Sequence, residues 1–343
     1  MNLYEINPLE DERWNDLVEE HAAASLFHSQ FWLDALRRTY GYQPVVFTDS
    51  PPGQRLINAL LFCRVRSWMT GRRLVSLPFS DHCEPLVAEP GVLVSMLNHL
   101  RTLIGREGRY IEIRPIHPFP VSSQGFRESE QFCLHFIDLR PTDDIIFGRF
   151  HRNHTQRAIR KAGRVGLTVE TGRSRTLLAE FRALHTLTRG RQGVPVQPSA
   201  WFQNVVDSLG ERATIWVARH EAIPVAAILT AVHRRTLIYK YGCSDPAYRR
   251  YGGTQLLFWR AIQAAKAQHL GDFDLGRTSW DNPGLLAFKD HLGGERRGLT
   301  YYRCTGAAPR KSTAWMSTAR MAYSMVPKPL QVRVGAHFYK HFA

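Results

Sequence analysis

The chain has 343 residues, 44% of them hydrophobic and 22% charged, which is the composition of a folded protein and, at roughly 100–200 residues per domain, the length of two domains. That excludes a disordered or fibrous chain. The acidic start (Glu5, Glu10, Asp11, Glu12, Asp16, Glu19, Glu20) is the reverse of a secretory leader, and the longest nearly apolar stretch, Ile223–Val232, falls well short of the about 20 residues that span a bilayer; the expectation is a cytoplasmic protein.

Elements read in chain order give a first half of mixed α/β character. Leu9–His21 and Ser29–Tyr40 carry helical spacing, the second closed by Gly41. Pro44–Thr48, Leu56–Val65 and Leu74–Phe79 read as strands, Val92–Arg106 as a helix, and Tyr110–Arg114 and Phe132–Leu139 as strands. Asp143–Gly163 reads as one basic helix with Phe147, Phe150 and Ile159 on its apolar side. Arg175–Arg189 and Ser199–Leu209 are further helices, separated by a loop over Gly190–Pro198.

The clearest pattern follows. Ala213–Arg219, Val225–Val232 and Thr236–Cys243 are strands, Thr254–Leu270 a long helix, Phe273–Leu275 a strand, Pro283–Leu292 a helix and Leu299–Cys304 a strand. This is an α/β (α+β) order with an antiparallel start and a crossover helix. The first half repeats it loosely, so a divergent internal duplication is expected, with domains at 1–141 and 142–311 and basic amphipathic helices over 312–343.

The net charge of +15 is uneven: no acidic residue follows Glu295, and Arg149, Arg152, Arg157, Arg160, Lys161 and Arg164 stand between Asp144 and Glu170 without one. Such blocks favour an anionic partner, whether a phosphate-bearing cosubstrate, tRNA or anionic lipid touched by the tail at the inner membrane surface; a solvated basic face is the plainer account. The five cysteines (Cys63, Cys83, Cys133, Cys243, Cys304) form no C-x-x-C pair, which argues for buried thiols rather than a disulfide framework or a zinc knuckle.

Chemistry concentrates first at Tyr248-Arg249-Arg250-Tyr251-Gly252-Gly253-Thr254, between a strand and the long helix. Glycines there let the backbone approach a ligand, and the helix's leading N–H groups with its dipole favour a pyrophosphate; Arg249 and Arg250 add charge. Arg277, at a strand end beside this turn, suits a phosphate or carboxylate. Lys240 and Tyr241 are candidates to line an acyl channel, with Tyr241 as general acid, and Lys289 to touch substrate, against the plainer reading of a core tyrosine and a solvated helix face. In the first half, Asp81, His82 and Glu84 follow a strand directly and are candidate proton acceptors for an attacking amine; a His82–Cys83 nucleophilic pair is poorly supported because sequence neighbours seldom have the geometry. His151 and His154 have chelating spacing but sit among arginines, so no metal site is expected.

The turn at Arg249–Thr254 resembles the acyl-CoA loop of GNAT enzymes, Arg/Gln-x-x-Gly-x-Gly/Ala, with Arg249 and Gly252 matching and Thr254 standing where Gly or Ala is usual. More widely, Phe27–Trp32, Leu74–Phe79, Phe273–Arg277 and Ala287–Gly293 resemble the GNAT-like FemA/FemB/FemX superfamily over roughly 25–305, most of all its exopolysaccharide-associated, acetyltransferase-annotated branch. The resemblance implies tandem GNAT-like domains with mixed, largely antiparallel sheets, the second binding the donor. It also implies transfer of an acyl or aminoacyl group to an amine on a small molecule, glycan or peptidoglycan precursor during envelope or exopolysaccharide assembly. Acyl-CoA is the expected cosubstrate, with no permanently bound cofactor. Aminoacyl-tRNA is the alternative donor, although the paired-helix arm that some of these enzymes use with tRNA has no counterpart here. A non-catalytic GNAT-like scaffold at the membrane surface is the third reading.

Overall fold

A computed structural model describes residues 2–68, 71–117, 125–306, 339 and 341. They form two units: the first holds the described residues up to Phe132 with 298–306, Tyr339 and His341, and the second is Cys133–Arg297.

In the first unit the chain runs β1 (Tyr4–Ile6), α1 (Arg13–Glu20), α2 (Gln30–Tyr40), β2 (Gln43–Thr48), β3 (Ala59–Ser67), β4 (Gly71–Val75), α3 (Pro90–Thr102), β5 (Tyr110–Ile113) and the start of β6 (Phe126–Asp138). Helix α2 shows how local chemistry sets its limits. Ser29 Oγ accepts the Trp32 N–H, and Gly41 ends the helix at φ 70°, each a device that satisfies end groups the helix itself leaves over. Strands β1 to β4 pair antiparallel in sequence, and α3 crosses over so that β5 lies parallel to β4. Phe47, Phe62, Leu74, Leu97, Leu100 and Ile111 fill the core beneath α3.

The second unit takes the end of β6, then α4 (Asp143–Arg149), α5 (Arg157–Arg164), β7 (Thr168–Gly172), α6 (Arg175–Gln192), α7 (Ser199–Leu209), β8 (Ala213–His220), β9 (Ile223–His233), β10 (Thr236–Ser244), α8 (Gly253–Ala267), β11 (Asp272–Ser279), α9 (Pro283–His291) and the first residues of β12 (Glu295–Thr305). The same plan recurs. Strands β7 to β10 are an antiparallel run, and α8 crosses over to set β11 parallel to β10. The duplication expected from the sequence is therefore visible strand for strand.

Each unit takes its strands in an unexpected order: β1-β2-β3-β4-β5-β12 in the first and β6-β11-β10-β9-β8-β7 in the second. The strand that ends each repeat thus joins the sheet of the other.

Three expectations are corrected. The helix foreseen over Asp143–Gly163 is broken: α4 stops at Arg149, Arg152–Gln156 form a π-helical turn, and α5 begins at Arg157. The break is held from afar, since His151 N–H and Thr155 Oγ1 both donate to the carbonyl of His291, at 2.9 and 2.8 Å. Strand β4 ends at Val75 rather than Phe79, where the backbone turns to φ 57°. Helix α6 continues to Gln192 and closes on Gly193 at φ 62°, shortening the foreseen loop. The tail helices lie outside the described residues. No helix among the described residues is long and apolar enough to cross a membrane.

Candidate active site

The turn singled out in the sequence sits where the fold can use it. Asp245 accepts the Ala247 N–H at 2.9 Å and starts a 3-10 turn over Pro246–Tyr251, which Gly252 closes at φ 78°. A side chain on Gly252 would put its Cβ 2.4 Å from the Ala158 carbonyl oxygen of α5, and one on Gly253 would crowd Val225 and Ala226 at 3.3 Å. Two independent constraints, a left-handed backbone and a close carbonyl, therefore require glycine at 252. Both glycines are buried, Thr254 is half-buried, and Arg249 and Arg250 are exposed.

Among the described residues no side chain caps the start of α8, and Leu256 is the residue whose N–H turns back to the Gly252 carbonyl. The amides ahead of Leu256 and the helix dipole point out of the turn, an arrangement suited to an anion.

Beside the turn, β10 and β11 share only a short parallel ladder, Thr236–Ile238 against Asp272–Asp274. Tyr239–Ser244 and Leu275–Ser279 run on outside it, so the two strands open toward their carboxyl ends, the side on which α/β sheets place ligands. A bulge at Lys240 breaks the β10–β9 register between Tyr239 and Tyr241, which cancels the alternation of faces. Tyr239 consequently packs on Phe258 of α8, with ring centroids 4.8 Å apart. Tyr241 turns instead to the helices across the sheet, edge-on to Phe202 at 5.2 Å and to His185 at 6.1 Å.

The Trp201 indole N–H donates to the Tyr241 oxygen at 2.7 Å, which fixes the ring. Burial, with help from Arg189, depresses the His185 pKa to about 3, so the imidazole behind Tyr241 is neutral. Trp201 and His185 were missed as site residues because on α6 and α7 their spacing reads as core. Only the bulge, a feature without a sequence signature here, brings Tyr241 to them.

At the end of β11, Asp274 is buried and accepts the Gly276 N–H at 2.7 Å. Lys289 is buried too, rather than on a solvated face, and its ammonium donates to the Gly276 carbonyl at 2.7 Å and the Arg277 carbonyl at 3.3 Å. It braces the strand end from which half-buried Arg277 projects.

In the first unit, Ser80–Glu84 does not follow β4 directly, because Ser76–Phe79 lie between them outside the strand, and its side chains divide. The Glu84 carboxylate accepts the N–H groups of Ile116 and His117 and contacts the His117 ring at 3.2 Å, so it organises a loop. His82 is buried edge-on to Phe27, and Asp81 is half-buried. Cys83 lies 3.4 Å from His28 rather than His82.

The Cys83 thiol is pushed far up by burial, as are those of Cys63 and Cys243, and all five cysteines are buried free thiols. Thiolate chemistry needs the opposite shift. The folded protein at pH 8 is accordingly expected to release almost no colour from an aromatic disulfide reagent, and Cys83→Ser to keep full activity. Rapid reaction of even one thiol before unfolding would overturn this.

With that geometry in place, comparison bears on the fold. Residues 149–290, all in the second unit, match the family described as "Acetyltransferase (GNAT) domain", and the fold of the chain is that of tandem GNAT proteins. Among solved structures, that of FemX superposes with a TM-score of 0.67 at 14% identity, covering 88% of this chain and 97% of that one. L-PGS from Bacillus licheniformis gives 0.57 at 18% identity, covering 91% and 96%. A tandem GNAT protein from the clavulanic acid biosynthesis pathway gives 0.57 at 12% identity, covering 90% and 100%. No curated protein matches the chain. At these identities the likenesses speak for the fold.

Proposed function

We propose that the protein is an N-acyltransferase that moves an acyl group from an acyl-CoA to an amine acceptor. The observation that supports this best is the start of α8: a helix end with no side-chain cap among the described residues, held against Ala158 by Gly252 and flanked by Arg249 and Arg250, within the stretch that matches the acetyltransferase family. The donor's pyrophosphate sits on those amides and its acyl arm lies where β10 and β11 part.

The acceptor's neutral amine attacks the thioester carbonyl. The C–N bond forms first, giving a tetrahedral oxyanion that main-chain N–H groups of β10 beyond Ile238 steady, and its collapse breaks the C–S bond. Tyr241, positioned by Trp201, protonates the leaving thiolate. The proton that the amine loses passes to solvent water; of the first-unit candidates, Glu84 is committed to its loop and His82 is buried against Phe27. Arg277 and Lys240 contact donor or acceptor, with Lys289 holding Arg277 in place. Acceptors of the fitting class are amino sugars and peptidoglycan-precursor amines, which would place the reaction in envelope or exopolysaccharide assembly.

Calorimetric titration with acetyl-CoA and, separately, with aminoacyl-tRNA tests the donor. Acetyl-CoA is expected to bind, and Arg249→Ala to weaken it roughly 10-fold or more, the worth of one charge-assisted phosphate contact. Binding of charged tRNA alone, indifferent to Arg249, would move the assignment to aminoacyl transfer.

A further inference from the structure

His151 and His154 are spaced too far from other ligands in sequence to make a site, but the fold adds a third imidazole. His291, the last residue of α9, comes to both: ring centroids are 4.3 Å apart for His151–His291, 4.6 Å for His154–His291 and 4.6 Å for His151–His154. One ring nitrogen from each lies within 4.8 Å of the others.

We propose that His151, His154 and His291 form a binding site for a transition-metal ion of the copper(II)–zinc(II) class, which fastens the π-helical turn to the end of α9. Three neutral imidazoles select such ions over magnesium or calcium, which take oxygen ligands. Metal–nitrogen bonds of about 2.0–2.1 Å place tetrahedral ligand nitrogens roughly 3.3 Å apart, so the ring nitrogens close by up to about 1.5 Å. His151 and His154 are exposed and His291 half-buried, which leaves them room to do so.

The frame beneath is built independently of any ion. The His291 carbonyl accepts both His151 N–H and Thr155 Oγ1, while Gln156 Nε2 donates to the carbonyls of Phe147 at 3.1 Å and Phe150 at 2.9 Å. A π-turn is a costly local geometry that recurs at functional sites, and here it is what brings two histidines to the third. His151 Nδ1 accepts a long bond, 3.3 Å, from the His154 N–H. Ligation through Nε2 moves the ring proton to Nδ1 and gives up that bond.

Asp290 is not a fourth ligand, because Arg296 holds both its oxygens at 2.8 and 2.5 Å and His135 lies 3.2 Å from one of them. The fourth position is left to solvent. Nearby Arg149, Arg152 and Arg157 lower the affinity for any cation, so the ion must be one that imidazole binds strongly.

The test is titration of chelator-treated full-length protein with zinc, nickel and copper(II) chlorides at pH 7.5, by calorimetry and thermal melting, with no acyl donor present, so that its outcome is separate from that of the transferase assignment. One ion per chain is expected, with a raised melting temperature and a copper(II) resonance spectrum showing three nitrogen donors. His151→Ala, His154→Ala and His291→Gln should each weaken uptake by at least the roughly 10–100-fold that even an outer-shell loss costs, and His117→Ala should leave it unchanged. Absence of uptake, uptake that survives all three variants, or loss confined to His291→Gln would overturn the site.

Discussion

Gly252→Ala is expected to lower the melting temperature by about 5 °C or more and to abolish measurable acetyl-CoA binding at temperatures where the variant is still folded. A residue with a Cβ costs roughly 1–2 kcal/mol in the left-handed region. Here the added carbon also meets a main-chain oxygen at 2.4 Å, a contact relieved only by moving α5 or the turn. The sum, about 2–4 kcal/mol, corresponds to roughly 5–15 °C in a unit of this size. The decisive comparison is Gly253→Ala, whose neighbours are side-chain carbons at 3.3 Å that give way more readily. If the two variants melt together and bind acetyl-CoA alike, Gly252 is not the hinge of a donor site.

The second large effect lies in the first unit, where Glu112 is buried between two guanidiniums. Arg114 donates to it at 2.8 Å while also bonding the carbonyls of Leu77 and Ser80, and Arg303 approaches from β12. Burial by itself would raise the Glu112 pKa, but the charges of Arg114 and Arg303 overcome it and hold the carboxyl at about 2. A folded value below the unfolded one means stabilisation that is complete above pH 4.5 and is lost as pH falls toward 2. The shift is worth about 3 kcal/mol.

Glu112→Gln is expected to cost roughly 3–5 kcal/mol at pH 7, because it strands buried Arg114, and to flatten the acid limb of stability against pH. Urea unfolding at pH 7, 4.5 and 3 checks both. The double variant Glu112→Met, Arg114→Met should recover part of the loss; equal midpoints for wild type and Glu112→Gln at pH 7 would show the pair to be idle.

What the sequence disclosed, and what it hid, follows the range of the forces involved. The run from β8 to α9 was legible because its signals are local: alternating apolar residues and the glycine turn at 252 and 253. The short edge strands β1 and β7 carried no such signal, since hardly any of their residues are buried and no alternation marks them. The break after Phe150 was hidden because its cause, the His291 carbonyl, lies far along the chain. The same distance concealed the partnership of Cys83 with His28 and the third member of the histidine cluster. Around the candidate site, the turn closed by Gly252 and the strands that carry Tyr241 and Arg277 could be read from sequence. The bulge that aims Tyr241, and the commitment of Lys289 and Glu84 to main-chain groups, could not.

The crossing of β6 and β12 makes the two repeats obligate companions. A polypeptide severed after Pro141 would carry β6 away from β11, and its counterpart would keep β12 away from β5. Each product would be left with a raw ladder of amides and carbonyls, the kind of border along which sheets stick to one another. The duplication is therefore one of sequence and of topology, while the smallest piece that can close both sheets is the pair.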